Sequence, residues 1–235
     1  MEVFKCSPHR AGDLMTNGRG KDTIGKNCLS MLQDWLITKV TGKRKEIESK
    51  YFSHGHFGEP SALARAGKHF NKKFEKNDLY LENDFFGGTF DARSGDLVID
   101  VKCPWEAHNM PYFDDEPPKG YYNQLQAYMD LTGLKKAALV YCLEDHSENE
   151  IDKLAARLAY QQALKLGLDP SEHEPTMEHW NEAKERLTYV KLPDNLRIKV
   201  YEFERNDELI ERMHNRVIEC REIINNDLIT KIKKK

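Results

Sequence analysis

Apolar and polar positions follow two rhythms along this chain. Leu29, Leu32, Leu36 and Val40 recur near helical spacing and predict a helix over 26–41. A second helix is expected over 60–74, where Pro60 suits the first turn and places Glu59 at the helix start. The rhythm then shortens. Tyr80, Phe85, Phe86, Thr89 and Phe90 favour a strand over 79–92. Residues 97–103 alternate, with Leu97, Ile99, Val101 and Cys103 facing one way and Val98, Asp100 and Lys102 the other. Arg93-Ser94-Gly95-Asp96 between them reads as a hairpin turn.

Further on, residues 119–132 predict a helix closed by Gly133, followed by a buried strand over 137–142. Residues 147–190 change character. They read as two charged amphipathic helices parted near Gly167-Leu168-Asp169-Pro170, the first with its stripe at Ile151, Leu154, Leu158 and Leu164. A strand over 196–204 and a helix over 207–225 complete the expected order. The first 25 residues are rich in glycine around one short apolar patch. The pattern describes an α/β (α+β) fold, a mixed sheet flanked by helices. It forms one domain over 1–235 with an inserted helical pair at about 147–190.

The hairpin carries the candidate chemistry. With Gly95-Asp96 as a two-residue turn, Asp91 stands opposite Asp100; a turn one residue different makes them diagonal neighbours. Opposed residues have Cβ atoms about 4.5–5.5 Å apart. Two carboxylates about 4 Å apart repel by about 4 kcal/mol at an effective dielectric of about 20. A divalent cation removes that repulsion, and Mg²⁺ favours one or two carboxylates with several retained waters. Lys102 projects from the same face about 7 Å along the strand, where it can hold an attacking water or offset phosphate charge. Glu59 can add a third carboxylate, directly or through water. One such ion, or two about 3.5–4 Å apart, would activate water for phosphodiester hydrolysis. The same three hairpin residues also fit an exposed salt-bridge cluster on an edge hairpin.

Composition narrows the field. The chain has 235 residues, 39% hydrophobic and 32% charged, with 36 Lys and Arg against 39 Asp and Glu, a formal net charge of −3. A nucleic-acid ligand would therefore need a local basic surface and a metal to offset the acids. Lys43-Arg44-Lys45 and Lys72-Lys73 are such tracts, though a solvated face is the simpler reading. The five cysteines, Cys6, Cys28, Cys103, Cys142 and Cys220, form no CxxC pair, which argues against a disulfide framework or zinc knuckle and fits a reducing cytoplasm. The start has no apolar signal region, no apolar run reaches a membrane-spanning length, and there is no Walker loop. The ending Lys231-Ile232-Lys233-Lys234-Lys235 reads as a solvated basic tail. His54-Gly55-His56 is a weak candidate metal pair in the loop before Glu59. Phe85 and Phe86 could stack on bases but suit the core better.

Gly87-Gly88-Thr89-Phe90-Asp91-Ala92 with Ile99-Asp100-Val101-Lys102-Cys103-Pro104-Trp105 resembles the PD-(D/E)XK nuclease core. The Lys-Cys-Pro-aromatic ending is similar to the phage lambda exonuclease (YqaJ-like viral recombinase) branch. So are Gly58-Glu59-Pro60-Ser61-Ala62, Tyr121-x-x-Gln124-x-Gln126 with Thr132-Gly133, and Ser7-Pro8-His9-Arg10-Ala11-Gly12-Asp13-Leu14. These motifs cover about residues 7–142 in the family's order, and the closing strand and helix also fit. Free cysteines do not reproduce the iron–sulfur arrangement of Cas4-like nucleases, since Cys220 stands alone near the C-terminus.

The resemblance implies a restriction-endonuclease-like core and a Mg²⁺-dependent deoxyribonuclease, with Mn²⁺ as a substitute. It implies 5′→3′ degradation of linear double-stranded DNA in phage-type recombination or DNA processing. Asp91 and Asp100 would ligate metal together with the Val101 carbonyl, Glu59 would lie near the same ion, and Lys102 would orient the water. Ser7 and Arg10 would bind a terminal 5′-phosphate. Gln124 would lie beside the site, and Tyr121, Gln124 and Gln126 are the candidates to contact DNA, although core packing is the favoured reading for Tyr121, Tyr122 and Tyr128 of that helix. A single-strand annealing partner and a ring-shaped homo-oligomer are further implications. The helical pair at 147–190 has no firm counterpart in the compact family core. An endonuclease or structure-selective nuclease on the same core, and a non-catalytic DNA-end binder, are the alternatives.

Overall fold

The computed structural model describes residues 3–20, 23–45 and 50–233. The chain start at Met1-Glu2 and the tail lysines Lys234 and Lys235 lie outside them. A 3₁₀ turn, Pro8–Arg10, leads into α1 (Ala11–Leu14), then α2 (Lys26–Thr41) and α3 (Lys50–Phe70). Five short or medium strands follow: β1 (Glu75–Lys76), β2 (Leu81–Glu82), β3 (Gly87–Gly88), β4 (Ala92–Ser94) and β5 (Leu97–Lys102). Next come α4 (Lys119–Thr132), β6 (Lys136–Cys142), α5 (Glu148–Leu166), α6 (Met177–Leu187) and β7 (Ile198–Glu204). α7 (Asp207–Ile223) runs through a π-helical turn, Ile224–Leu228, into α8 (Ile229–Lys233).

The main sheet has the order β1-β4-β5-β6-β7. β5 and β6 are parallel and every other pairing is antiparallel, so the sheet is mixed, as expected. α4 supplies the crossover that a parallel pair requires. Both faces of β5 and β6 are covered. Leu97, Ile99, Val101, Ala138 and Val140 pack on Ala62, Leu63 and Ala66 of α3. Val98, Ala137, Leu139 and Tyr141 pack with Leu125, Tyr128 and Met129 of α4. A further helical layer, α2 and α7, closes on Phe4, Leu14 and Phe86 and meets Ala127 of α4. The N-terminal segment is thus threaded into the core, and Cys6 bridges to Phe86.

Three local expectations change. Residues 79–92 are not one strand. The Asn83 side-chain oxygen accepts the Phe85 and Phe86 N–H groups at 2.9 and 2.8 Å, which turns the chain and makes a separate β2–β3 hairpin. Phe86 is fully buried and Phe85 stacks on His214 at 3.8 Å, so both serve packing. α3 begins ten residues before Pro60, so Glu59 lies within the helix and not at its start. The helix tolerates losing one donor at Pro60 because its buried face, His54, Gly58, Ala62 and Ala66, is held against the sheet. His54-Gly55-His56 accordingly sits on α3 and not in a loop. His54 is buried, stacks on His146 at 4.0 Å and bonds through Nε2 to the Pro104 carbonyl at 3.2 Å.

The helical pair falls where the pattern predicts it. α5 ends at Gly167, whose φ of 71° is the left-handed value that favours glycine. Ile151, Ala155, Ala183 and Leu187 form a small core between α5 and α6. No helix among the described residues is long and apolar enough to cross a membrane.

Candidate active site

The turn between β4 and β5 sets the site's register. Ser94 pairs with Leu97, Arg93 with Val98 and Ala92 with Ile99, which leaves Gly95 and Asp96 as the two-residue loop. Gly95 takes φ of 58°, a conformation suited to glycine. This register carries Asp91 towards Asp100. The ladder stops at Ala92, and the Asp91 side chain takes over: its Oδ2 accepts the Val101 N–H at 2.8 Å. The Asp91 backbone carbonyl accepts the Asn77 N–H at 2.9 Å from the segment after β1.

Asp100 is only 2% exposed and sits in a central strand, which rules out an exposed cluster on an edge hairpin. Its Oδ1 accepts from Gln124 Nε2 at 2.7 Å, and its Oδ2 lies 2.6 Å from Lys102 Nζ. That second contact is an ion pair without hydrogen-bond geometry, so Asp100 Oδ2 is a buried oxygen short of a directed partner. Burial, then the neighbouring Asp100 charge, pushes the Asp91 carboxyl up to about 7, although the Val101 N–H and Lys102 pull the other way. Burial works against the Lys102 charge, but Asp100 and Asp91 outweigh it and its pKa is raised. Its ammonium stands 5.0 Å from the centre of the Tyr121 ring.

Glu59, Asp91, Val101, Lys102 and Tyr121 line one open cleft of about 760 Å³, walled by Tyr51, Phe52 and Trp105. Glu59 reaches it because Gly58 permits close contact of α3 with the end of β5: a Cβ there would stand 2.9 Å from Cys103 Sγ. Cys103 itself is a thiol pushed up to about 12, chiefly by burial. A second cleft, of about 580 Å³, is lined by Lys5, His9, Arg10, Lys39 and Arg44 with Ser7 and Thr89, and by two acids, Asp34 and Glu82, the latter 3.2 Å from Lys5 Nζ. A smaller hollow is bordered by His9, Tyr121 and Gln124; it shares His9 with the second cleft and Tyr121 with the first.

No family model matches the sequence, and no curated protein does. Solved structures do match. A phage-related exonuclease from Haemophilus somnus 129PT aligns over 98% of this chain and 97% of its own, with a TM-score of 0.75 and 20% identity. The alkaline exonuclease LHK-Exo from Laribacter hongkongensis aligns over 98% of this chain and 92% of its own, with a TM-score of 0.66 and 17% identity. The same enzyme in complex with dAMP aligns over the same shares, with the same TM-score and 18% identity. The chain has the fold of these exonucleases.

On this exonuclease fold the expected residues divide into groups. Asp91, Asp100, Val101, Lys102, Gln124 and Tyr121 come together, with Glu59 on the wall of the same cleft. Ser7 and Arg10 line the adjoining basic cleft; Ser7 Oγ lies 2.7 Å from His9 Nδ1, and Arg10 Nε lies 2.6 Å from Asp13 Oδ2. Gln126, expected at the DNA, lines neither cleft. It is fully buried; its Nε2 donates to the Glu204 carbonyl at 2.9 Å and its Oε1 accepts the Asn206 N–H at 2.8 Å, which ties α4 to the β7–α7 junction. Tyr128 is buried, with its hydroxyl on the Thr89 carbonyl, and Tyr122 packs against the helical layer.

The donors suit a hard divalent cation. Asp91 and Asp100 offer carboxylate oxygens, one of them without a directed partner, and Asp91 is raised by burial and by the neighbouring Asp100 charge. Among the described residues, however, no three His, Cys, Asp or Glu side chains are gathered to hold a metal. Two carboxylates with waters satisfy Mg²⁺; a third needs Glu59 to move. The sequence reading missed His9, Lys5, Lys39, Tyr51 and Tyr141 as cleft residues. Lys5 and His9 flank Ser7 at the N-terminal motif, which could have flagged them, whereas Lys39, Tyr51 and Tyr141 come from separate elements that no local spacing connects.

Proposed function

We propose that this chain is a Mg²⁺-dependent deoxyribonuclease that degrades linear duplex DNA from its ends in the 5′→3′ direction. The observation that carries the reading is Asp91 bonded to the Val101 backbone beside a buried Asp100 held by Gln124 and Lys102. Its setting, an open cleft in a fold shared with exonucleases, adds support.

Asp91 and Asp100 would hold Mg²⁺, or Mn²⁺ in its place, with the Val101 carbonyl and Glu59 as further donors. The ion would acidify a water and offset charge on the scissile phosphate. Gln124 fixes the Asp100 carboxylate from the far side, so that the oxygen facing Lys102 keeps its direction. Lys102 remains protonated beside Asp100 and acts as a donor: it orients the attacking water and neutralises phosphate charge, and does not take the water's proton. Water would attack phosphorus as the P–O bond to the leaving sugar oxygen breaks; the attacking water's proton would pass to bulk water in the open cleft, and the leaving oxygen would take up a proton from the same water. Cys103, a neutral thiol, supplies no covalent route.

The basic cleft at Ser7, Arg10, Lys5 and Lys39 would take the terminal 5′-phosphate. A ring-shaped homo-oligomer and an annealing partner belong to the same reading.

The test is a time course with Mg²⁺ on linear and closed-circular duplex DNA, comparing wild type with Lys102→Ala. Loss of the linear form alone, abolished by Lys102→Ala, is the expected result. Cutting of both forms makes the chain an endonuclease on the same site. No cutting with Mg²⁺ or Mn²⁺ leaves a non-catalytic DNA-end binder.

A further inference from the structure

Glu59 keeps different company from the other two acids. Its Oε1 lies 3.1 Å from Lys76 Nζ, and the two side chains are 16% and 54% exposed. The acid is therefore set into the cleft wall on α3, while the cation reaches in from solvent on β1. β1 is an edge strand joined to the strand that leads from Asp91. Lys76 pairs with Ala92, and the next residue, Asn77, donates its N–H to the Asp91 carbonyl. Glu59 lies close enough to Asp91 for its charge to bear on that carboxyl. Yet it is not gathered with Asp91 and Asp100 into a three-ligand group.

We propose that Lys76 is a positioning residue that competes with the divalent cation for Glu59. The ammonium holds Glu59 at the cleft wall in the metal-free protein and is displaced when the cation draws Glu59 towards Asp91 and Asp100. This rests on the reading of the cleft as a divalent-metal site. The physics is a contest of two cations for one carboxylate. An ion pair with so exposed a lysine is weak, so a divalent ion facing two further carboxylates wins it, at some loss of affinity. That loss is what Lys76 controls.

The experiment is a calorimetric titration of Mn²⁺ into the full-length chain without DNA. Lys76→Ala is expected to bind Mn²⁺ about twofold to fivefold more tightly than wild type, the range set by a weak surface pair. Lys76→Arg, which keeps the cation, should match wild type. In a Glu59→Gln background, where there is nothing left to compete for, Lys76→Ala should change nothing. Unchanged or weaker binding in Lys76→Ala overturns the inference, as does equal tightening in the Glu59→Gln background, which would mean general charge repulsion. If wild type shows no Mn²⁺ binding that Asp100→Ala removes, the metal reading itself fails instead.

Discussion

Asp91 stands in for a strand partner of Val101. Its carboxylate takes the Val101 N–H at 2.8 Å where the β4–β5 ladder has already ended, so the acid is fixed by the backbone that carries Asp100 one residue earlier. The two carboxylates therefore cannot move apart unless that bond breaks, and their mutual repulsion is retained in the folded chain.

That repulsion has a pH signature. Asp91 is raised to about 7 by burial and Asp100. Between the ordinary carboxylate value near ~4 and that value, the folded chain holds a proton that the unfolded chain has lost. More protons bound in the native state means that this group's contribution to stability falls as pH rises through the window. In EDTA, Asp91→Asn should therefore gain stability relative to wild type on going from about pH 5 to about pH 8, by an amount on the order of 2 kcal/mol, read as a widening Tm difference. Saturating Mg²⁺ should remove the difference. The comparison must be made against the variant, because His54, pulled down to about 4 by burial and His146, contributes the opposite slope at lower pH. A Tm difference that is flat with pH would refute the assignment.

Lys102→Ala should show two separate losses. Activity should fall by roughly 10²–10⁴-fold, as for other positioned charges in active sites. Stability should fall by about 1–3 kcal/mol, because Asp100 is left buried with Gln124 as its remaining contact. Urea unfolding and steady-state rates on the same preparation measure both.

Gly58→Ala should push α3 off the end of β5, since the new methyl would meet Cys103 Sγ at 2.9 Å. A cost of about 1–3 kcal/mol and reduced activity are expected. Cys103→Ala removes the obstructing sulfur, so the double variant should recover most of both. Additive losses in the double-mutant cycle would show that the contact is not the cause.

Gln124 and Gln126 should separate cleanly. Gln126→Ala should cost about 1–3 kcal/mol of stability by orphaning the Asn206 N–H and the Glu204 carbonyl, with the rate per folded molecule unchanged. Gln124→Ala should lower the rate. Equal effects of the two on rate would contradict the division.

The strand over 97–103 was legible because its start is a nearly unbroken β-branched and apolar run, as a strand buried on both faces against two helices requires. The position of Asp100 and the turn at Gly95 followed from it. The start of α3 was not legible: proline favours a first turn but does not require one, and burial of His54 and Gly58 decides the matter. The break at Asn83 depends on a side chain bonding to backbone two and three residues on, which an apolar pattern does not register. Gln126 was misplaced against elementary geometry. Two residues apart on a helix point to different sides, so Gln124 and Gln126 cannot serve one cleft. The basic cleft draws Lys5, Lys39 and Thr89 from the N-terminal segment, α2 and the stretch after β3, and only tertiary packing unites them.

The central position of β5 bears on how this molecule should fail. A strand paired on both edges and covered on both faces opens only when the whole structure opens, so its amides should be among the last to exchange with solvent. Asp100 and Lys102 ride on that strand. Heat should therefore abolish turnover in a single step that coincides with global melting, with no earlier stage in which an intact shell surrounds a disordered centre.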